Sequence, residues 1–164
     1  MMPTKGHEYW MRIALQEAEG ARMAGELPIG GVLVAGGQEL CRKQTSVRRR
    51  GSMAAHGELL ALLEVRDNLY AVARPLVLYT TLEPCLMCLG AMMQCDVDQL
   101  VYGMRCAPDG GTRLMQALDA HGWRRPEVLG GVLERDCVEA MRRWQQPADH
   151  PAQGYLRAIL EPYG

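Results

Sequence analysis

Apolar residues recur along the chain with two different periods, and the switching between them outlines the fold. Over residues 8–23 they fall at Tyr9, Ile13, Ala14, Ala18 and Ala21, a helical spacing that ends near Gly25. Residues 29–35 form a short aliphatic run instead. Gly36-Gly37 then predicts a hairpin turn into a second strand over 38–43. Residues 44–52 carry Arg48, Arg49 and Arg50, include Gly51, and predict a loop. The helical period returns over 54–70, with Leu59, Leu62, Leu63 and Val65 apolar. Beyond it the pattern predicts strands over 76–81, 100–103 and 127–132, and helices over 86–94, 114–120 and 136–144. Strands alternating with helices imply an α/β layered domain whose sheet is largely parallel in its later half. We place this domain at residues 1–146. The tail, 147–164, contains Pro147, Pro151 and Pro162 and is less regular, with a helix over 155–160.

Composition narrows the class. A chain of 164 residues suits one domain with a sizeable core, and 48% hydrophobic with 23% charged residues is the make-up of a soluble globular protein. Phe is absent and Met occurs 11 times, so Met, Leu, Val and Ile fill the core. The net charge of −1 argues mildly against a nucleic-acid partner, because phosphate neutralisation dominates such binding, although a local basic patch is compatible with it. Residues 1–6 are short and polar, with no secretory signal, and no apolar run approaches the ~18 residues of a membrane span. We therefore expect a cytoplasmic protein without membrane contact. In that setting a Cys-x-x-Cys pair points to metal or redox chemistry rather than to a disulfide framework.

Two clusters carry that chemistry: His56-Gly57-Glu58, and Pro84-Cys85-Leu86-Met87-Cys88. Each falls at the start of a predicted helix. Cys85 and Cys88 are three apart, so on a first helical turn both sulfurs face one way and can share a metal. A helix N-terminus also favours the thiolate that a metal requires. A structural zinc site takes four protein ligands, whereas a catalytic site keeps three and leaves one position to water. His56, Cys85 and Cys88 make three, and the other Cys residues (41, 95, 106 and 137) are scattered singly. The site is therefore read as catalytic, with the metal lowering the pKa of a bound water toward neutrality. Glu58 is suited to carry protons rather than to ligate. Taken alone, Cys-x-x-Cys also fits a redox pair or half a zinc knuckle, and His-x-Glu alone says little. Their combination, with Pro84 before the first Cys, is the recurrent signature of zinc deaminases.

On these residues the chain resembles the cytidine deaminase-like superfamily, over about residues 17–144. Pro28-Ile29-Gly30-Gly31, His56-Gly57-Glu58, Leu78-Tyr79-Thr80-Thr81-Leu82 and Gly90-Ala91-Met92 are similar to fungal cytosine deaminase. Thr81-Leu82-Glu83-Pro84-Cys85 and Val101-Tyr102-Gly103 are similar to bacterial tRNA adenosine deaminase, and Leu86-Met87-Cys88-Leu89-Gly90-Ala91 to bacterial guanine deaminase. The resemblance implies a three-layer α/β/α fold with a five-stranded mixed sheet, one zinc per subunit and a homodimer. It implies that Gly57 and Cys85 present backbone N–H groups, that the Glu83 carbonyl accepts from the departing amino group, and that Ile29 lines the base pocket. These relatives place an Asn eleven residues before the metal-binding His. Here that position is Thr45, whose hydroxyl is shorter than a carboxamide and does not offer its paired donor and acceptor.

Other departures concern RNA. Bacterial tRNA deaminases commonly read Asp-Pro-Thr-Ala-His-Ala-Glu at the metal-binding His, whereas this chain reads Ser52-Met53-Ala54-Ala55-His56-Gly57-Glu58. Their C-terminal helix is rich in Arg and Lys; here Arg142 and Arg143 are followed by a tail carrying Asp149 and Glu161. The tail can cover the active site, with Trp144, His150 and Tyr155 as candidate lid residues. Arg48, Arg49 and Arg50 fall between Thr45 and His56, which suits RNA contact, capture of an acidic group, or a plain solvated loop. The leading expectation is hydrolytic deamination of a small amino-substituted heterocycle, a cytosine-like or guanine-like base, nucleoside or analogue. Adenosine-to-inosine editing of tRNA is the alternative, with a non-catalytic zinc-stabilised scaffold as a third.

Overall fold

The structure, a computed structural model, describes residues 5–65, 71–122 and 124–164. Five strands form one mixed sheet: β1 (Gly30–Ala35), β2 (Gln38–Gln44), β3 (Leu76–Leu82), β4 (Gln99–Met104) and β5 (Glu127–Leu129). Their order is β2-β1-β3-β4-β5. β1 runs antiparallel to both β2 and β3, while β3, β4 and β5 are parallel. The later half of the sheet is thus parallel, as the strand–helix alternation predicts.

Side-chain alternation gives the central strands two working faces. Val32, Val34, Val77, Tyr79 and Val101 enter one core; Leu33, Ala35, Leu76, Leu78, Leu100 and Tyr102 enter the other. β1 and β3 are buried at every position. That burial accounts for the apolar runs over 32–35 and 76–79, since a strand covered on both faces has no polar side to alternate with. The first core is closed by α1 (His7–Met23), α5 (Glu134–Arg142) and α6 (Gln153–Leu160) through Trp10, Met11, Val138, Met141, Leu156 and Ile159. The second is closed by α3 (Gly57–Glu64) and α4 (Leu86–Gln94) through Ala61, Leu62, Cys88, Leu89 and Met92. The result is the expected three-layer α/β/α sandwich.

Several elements depart from the sequence pattern, each for a local reason. The helix expected over 54–70 is α3, which begins at Gly57 and ends at Glu64; residues 66–70 of that expectation lie outside the described ones. Ala54 and Ala55 are held in a turn, with Ala55 N–H donating to Ser52 and His56 N–H to Ala54, which leaves His56 extended at the cap. The loop expected over 44–52 contains a short helix, α2 (Val47–Arg50). Its opening N–H groups, on Arg48 and Arg49, donate to the buried carboxylate of Glu26 at 3.1 and 2.8 Å. That cap comes from more than twenty residues away, so no local period reveals it. The segment expected as a helix over 114–120 is a 3-10 segment, Thr112–His121. The strand expected over 127–132 stops at Leu129, and Gly131 then adopts a positive φ.

The tail is packed against the domain. Leu156 and Ile159 enter the first core beside Trp144, and Arg142 donates to the carbonyls of Tyr163 and Gly164. Trp144, expected as a lid candidate, is therefore a core residue, because the turn after α5 directs it inward. His150 sits edge-on against it, 5.1 Å between ring centres. Among the described residues no helix is long and apolar enough to cross a membrane.

Among the described residues the tightest approach of backbone to backbone at a glycine lies where β1 enters. A Cβ on Gly30 would collide with the carbonyl oxygen of Ala14 and come within 2.5 Å of the Ala18 nitrogen, both backbone atoms of α1. Backbone cannot move aside as a flexible side chain can. Gly30→Ala is expected to lower the unfolding free energy of the zinc-loaded protein by about 2 kcal/mol or more, measured by urea denaturation. Gly90→Ala, in α4 with nothing within 4 Å of the added carbon, should instead gain about 0.5–1 kcal/mol.

Candidate active site

The topology brings four chain ends to one edge of the sheet. β3 and β4 are parallel, so their C-terminal ends, Leu82 and Met104, lie side by side. β1 is antiparallel to β3, which puts its start opposite them, with Gly31 paired to Thr80. β2 ends there too, since Gln44 pairs with Gly30. Open α/β sheets bind ligands beyond the carboxyl ends of their strands. At this edge α3 and α4 begin, capped by His56 and Cys85 in extended conformation.

The two caps face each other. His56 Nδ1 lies 3.6 Å from the Sγ of Cys85 and 3.6 Å from that of Cys88, and the three ligand atoms all fall within 4.8 Å of one another. Nitrogen and sulfur ligands at roughly 2.05 and 2.3 Å from a tetrahedral zinc are themselves roughly 3.6 Å apart. Donor set and spacing thus both fit zinc, with three protein ligands. No other such group of His, Cys or acidic residues occurs among the described residues.

Charge follows geometry. A hydrogen bond from the Cys88 thiol, opposed by burial and reinforced by His56, holds Cys85 down to about 4. The same bond, with burial, pushes Cys88 up. The hydrogen bond to Cys85 also raises His56, against its burial. Glu58 is buried, and that burial raises its carboxyl above the ordinary range. Thr80 Oγ1 donates to Glu58 Oε1 at 3.1 Å, and Cys88 Sγ lies 3.9 Å from Oε2. The carboxyl is thereby fixed beside the ligand cluster without belonging to it.

A glycine-rich loop, residues 105–112, wraps the turn that carries Cys85. Gly111 N–H donates to the Pro84 carbonyl at 2.8 Å, and Cys85 bridges Gly110. The Glu83 carboxylate pegs both ends of this loop, accepting from Cys106 N–H at 3.0 Å and from the Thr112 hydroxyl. At its tip Asp109 Oδ1 accepts from the Tyr155 hydroxyl and the Cys106 thiol, each at 2.9 Å. Asp109 in turn is one of the charges that raise His56.

Of the residues expected in the site, His56, Glu58, Cys85 and Cys88 stand together. Ile29 and Thr45 meet beside them, Thr45 N–H donating to the Ile29 carbonyl at 3.0 Å, and Thr45 is buried. The backbone N–H groups of Gly57 and Cys85, and the Glu83 carbonyl, are engaged in no backbone hydrogen bond among the described residues. Of the tail candidates only Tyr155 reaches the loop over the metal turn. Thr80, Asp109 and Thr112 were not singled out from the sequence. For Thr80 there was a signal, a polar pair (Thr80-Thr81) at the end of an otherwise apolar strand; Asp109 and Thr112 act through contacts with residues 46 and 29 positions away.

A buried carboxyl beside a three-ligand His-Cys-Cys cluster, on a three-layer sandwich, defines a zinc-dependent hydrolytic deaminase. Residues 4–104 match the cytidine and deoxycytidylate deaminase zinc-binding region, and the chain belongs to that family. It is 37% identical over 134 residues to the tRNA-specific adenosine deaminase of Bacillus subtilis, covering 79% of this chain and 83% of that one. The tRNA-specific adenosine deaminase of Agrobacterium fabrum is 31% identical, over 83% of this chain and 91% of its own. Among solved structures, one from work on A-to-I editing by tRNA:A34 deaminases superposes with a TM-score of 0.72 at 31% identity, over 80% of this chain and 98% of that one. Guanine deaminase from Nitrosomonas europaea superposes at 0.70 with 25% identity, over 84% and 83%.

Metal analysis checks the ligand assignment independently of any substrate. Wild-type protein and Glu58→Gln should each carry about one zinc per chain, whereas Cys88→Ser should lose most of it. Full zinc retention by Cys88→Ser would overturn the ligand set.

Proposed function

We propose that the protein deaminates adenosine to inosine in a tRNA. The similarity to tRNA-specific adenosine deaminases along 83% and 91% of their own lengths carries this reading of the substrate. The Glu58 carboxyl, buried and held by Thr80 beside the ligand cluster, carries the chemistry. Zinc, when bound, supplies a Lewis acid that brings the pKa of water toward neutrality. Glu58 then serves as the proton carrier. It takes a proton from the attacking water, passes it to N1 of adenine, and passes the second proton to the amino group. Water adds its oxygen to C6, the C6–N6 bond breaks, and inosine and ammonia result. A carboxyl whose pKa burial has raised is suited to both halves of that cycle, because it accepts and releases protons nearer neutrality than an exposed glutamate. The N–H groups of Gly57 and Cys85 and the Glu83 carbonyl are the backbone groups available to bind the reacting atoms, with Ile29 and Thr45 lining the base pocket. Tyr155, through Asp109, positions the loop over the metal turn.

The free heterocycle, the leading expectation from the sequence, becomes the second reading. It keeps one specific support, the guanine deaminase fold at 25% identity. We also propose a homodimer, as the family resemblance implies; the exposed Leu63, Leu86 and Met87 on α3 and α4 offer an apolar face for it.

Incubating the zinc-loaded protein with tRNA transcripts and sequencing them for adenosine-to-inosine conversion separates the two readings. Conversion at a single adenosine is expected, and Glu58→Gln should slow it by about 10²–10⁴-fold. Ammonia release from free cytosine, guanine or their analogues, with every transcript untouched, would replace the tRNA reading by the second.

A further inference from the structure

The net charge of −1 hides an uneven distribution. Beside α2 and the end of β2 lies a cleft of about 360 Å³, with Arg42, Lys43, Gln44, Ser46, Arg49 and Arg50 around it. The one acid lining it is Glu17, and burial raises that carboxyl, which favours its neutral form over that of an exposed glutamate. The cations differ in how far they are already engaged. Arg42 pairs with Glu39 and Lys43 with Glu64, both turned toward neighbouring acids. Arg49 donates to Ser46 Oγ at 2.8 Å and lies 3.8 Å from Glu26, which fixes its direction at the rim. Arg50 is exposed; its backbone N–H donates to the Ser46 carbonyl, and its guanidinium makes no hydrogen bond or ion pair among the described residues.

Two features make this a prepared surface rather than a loose loop. The three consecutive arginines are ordered as a helical turn, because the buried Glu26 carboxylate holds the N–H groups of Arg48 and Arg49. The cleft also abuts the zinc site. A Cβ on Gly57, the residue after His56, would come within 3.1 Å of the Lys43 carbonyl oxygen and 3.3 Å of the Gln44 carbonyl carbon. The backbone that walls the cleft is thus the backbone that packs against the start of α3. Planar guanidinium groups at such a rim suit phosphate oxygens better than ammonium groups do, since their donors come as a fork.

We propose that this cleft binds the phosphodiester backbone of the RNA flanking the reacting adenosine, with Arg49 and Arg50 as the phosphate contacts. The inference rests on the tRNA reading above. A phosphate contact shows itself in salt dependence, because each one releases condensed counterions on binding.

The test measures the dissociation constant of the zinc-loaded full chain for a tRNA transcript across a salt series. Arg50→Glu should weaken binding about tenfold at low salt and make the slope of log K against log salt shallower by about one. Arg50→Lys, which keeps the charge, should recover most of the affinity. The Arg50 guanidinium has no partner among the described residues to lose, and substitution keeps the backbone N–H, so thermal midpoint and zinc content should stay those of the wild type. If Arg50→Glu lowers the midpoint, Arg50→Gln takes its place, with about half the effect on affinity expected. Wild-type binding with a slope that neither variant moves would overturn the cleft and leave the tRNA reading standing. A wild-type protein that binds no transcript at low salt would overturn the tRNA reading, and the cleft with it.

Discussion

Two helices have to begin at one point in space for this protein to exist in its working form. His56 at the cap of α3 and Cys85 and Cys88 at the start of α4 would hold a single zinc ion through one nitrogen and two sulfurs, and the 3.6 Å separations leave little room for error. The sheet supplies that convergence. β3 ends in the turn that carries Cys85, β1 and β2 meet beside it at Gly30 and Gln44, and the segment leading to His56 departs from there. Gly30, pressed against the α1 backbone, and Gly57, pressed against Lys43 and Gln44, are the places where the layers touch without intervening side chains. Small residues at these contacts let the ligands approach to bonding range.

Once the ligands are placed, polar groups around them hold the arrangement from outside. Glu83 is the main strut: its carboxylate gathers Cys106 and Thr112, so the loop after β4 closes over the turn after β3. Tyr155 fastens the tip of the same loop through Asp109. The tail thereby ties the first core, where Leu156 and Ile159 are anchored, to the loop above the metal turn. Acting through a chain of contacts of this kind, a residue on α6 can influence the site without touching substrate.

The His-Cys-Cys cluster and the carboxyl beside it were legible in the sequence because their placement depends on local spacing. Cys85 and Cys88 share one helical turn, and His56 and Glu58 are two residues apart, so each pair needs only a helix start to be read. The layer order was legible for a similar reason, since buried parallel strands betray themselves as unbroken aliphatic runs. Long-range polar contacts were not legible. Glu26 capping α2, Glu83 pegging the 105–112 loop and Asp109 meeting Tyr155 all join residues separated by more than twenty positions, and nothing in the local pattern marks them. Trp144 illustrates the opposite error. An aromatic residue just beyond an amphipathic helix reads equally well as a lid or as the last core position, and packing against α6 decided it.

Net charge is a poor guide to a local surface. A total of −1 averages the acids of the helices with a cluster of arginines that a buried carboxylate orders beside the active site. An electrostatic partner responds to the field within about a Debye length, roughly 8–10 Å at physiological salt, and not to the sum over the molecule. The absence of a basic tail therefore says little against RNA, provided another basic surface lies near the reacting base. Thr45 points the same way once burial is considered. Its N–H is already committed to Ile29, so what it offers a substrate is one hydroxyl, both donor and acceptor. A free base held by few contacts loses much when a carboxamide becomes a hydroxyl. A nucleoside embedded in a polymer loses proportionally less, because backbone contacts elsewhere hold it in place. A threonine at this position is thus better tolerated with the larger substrate.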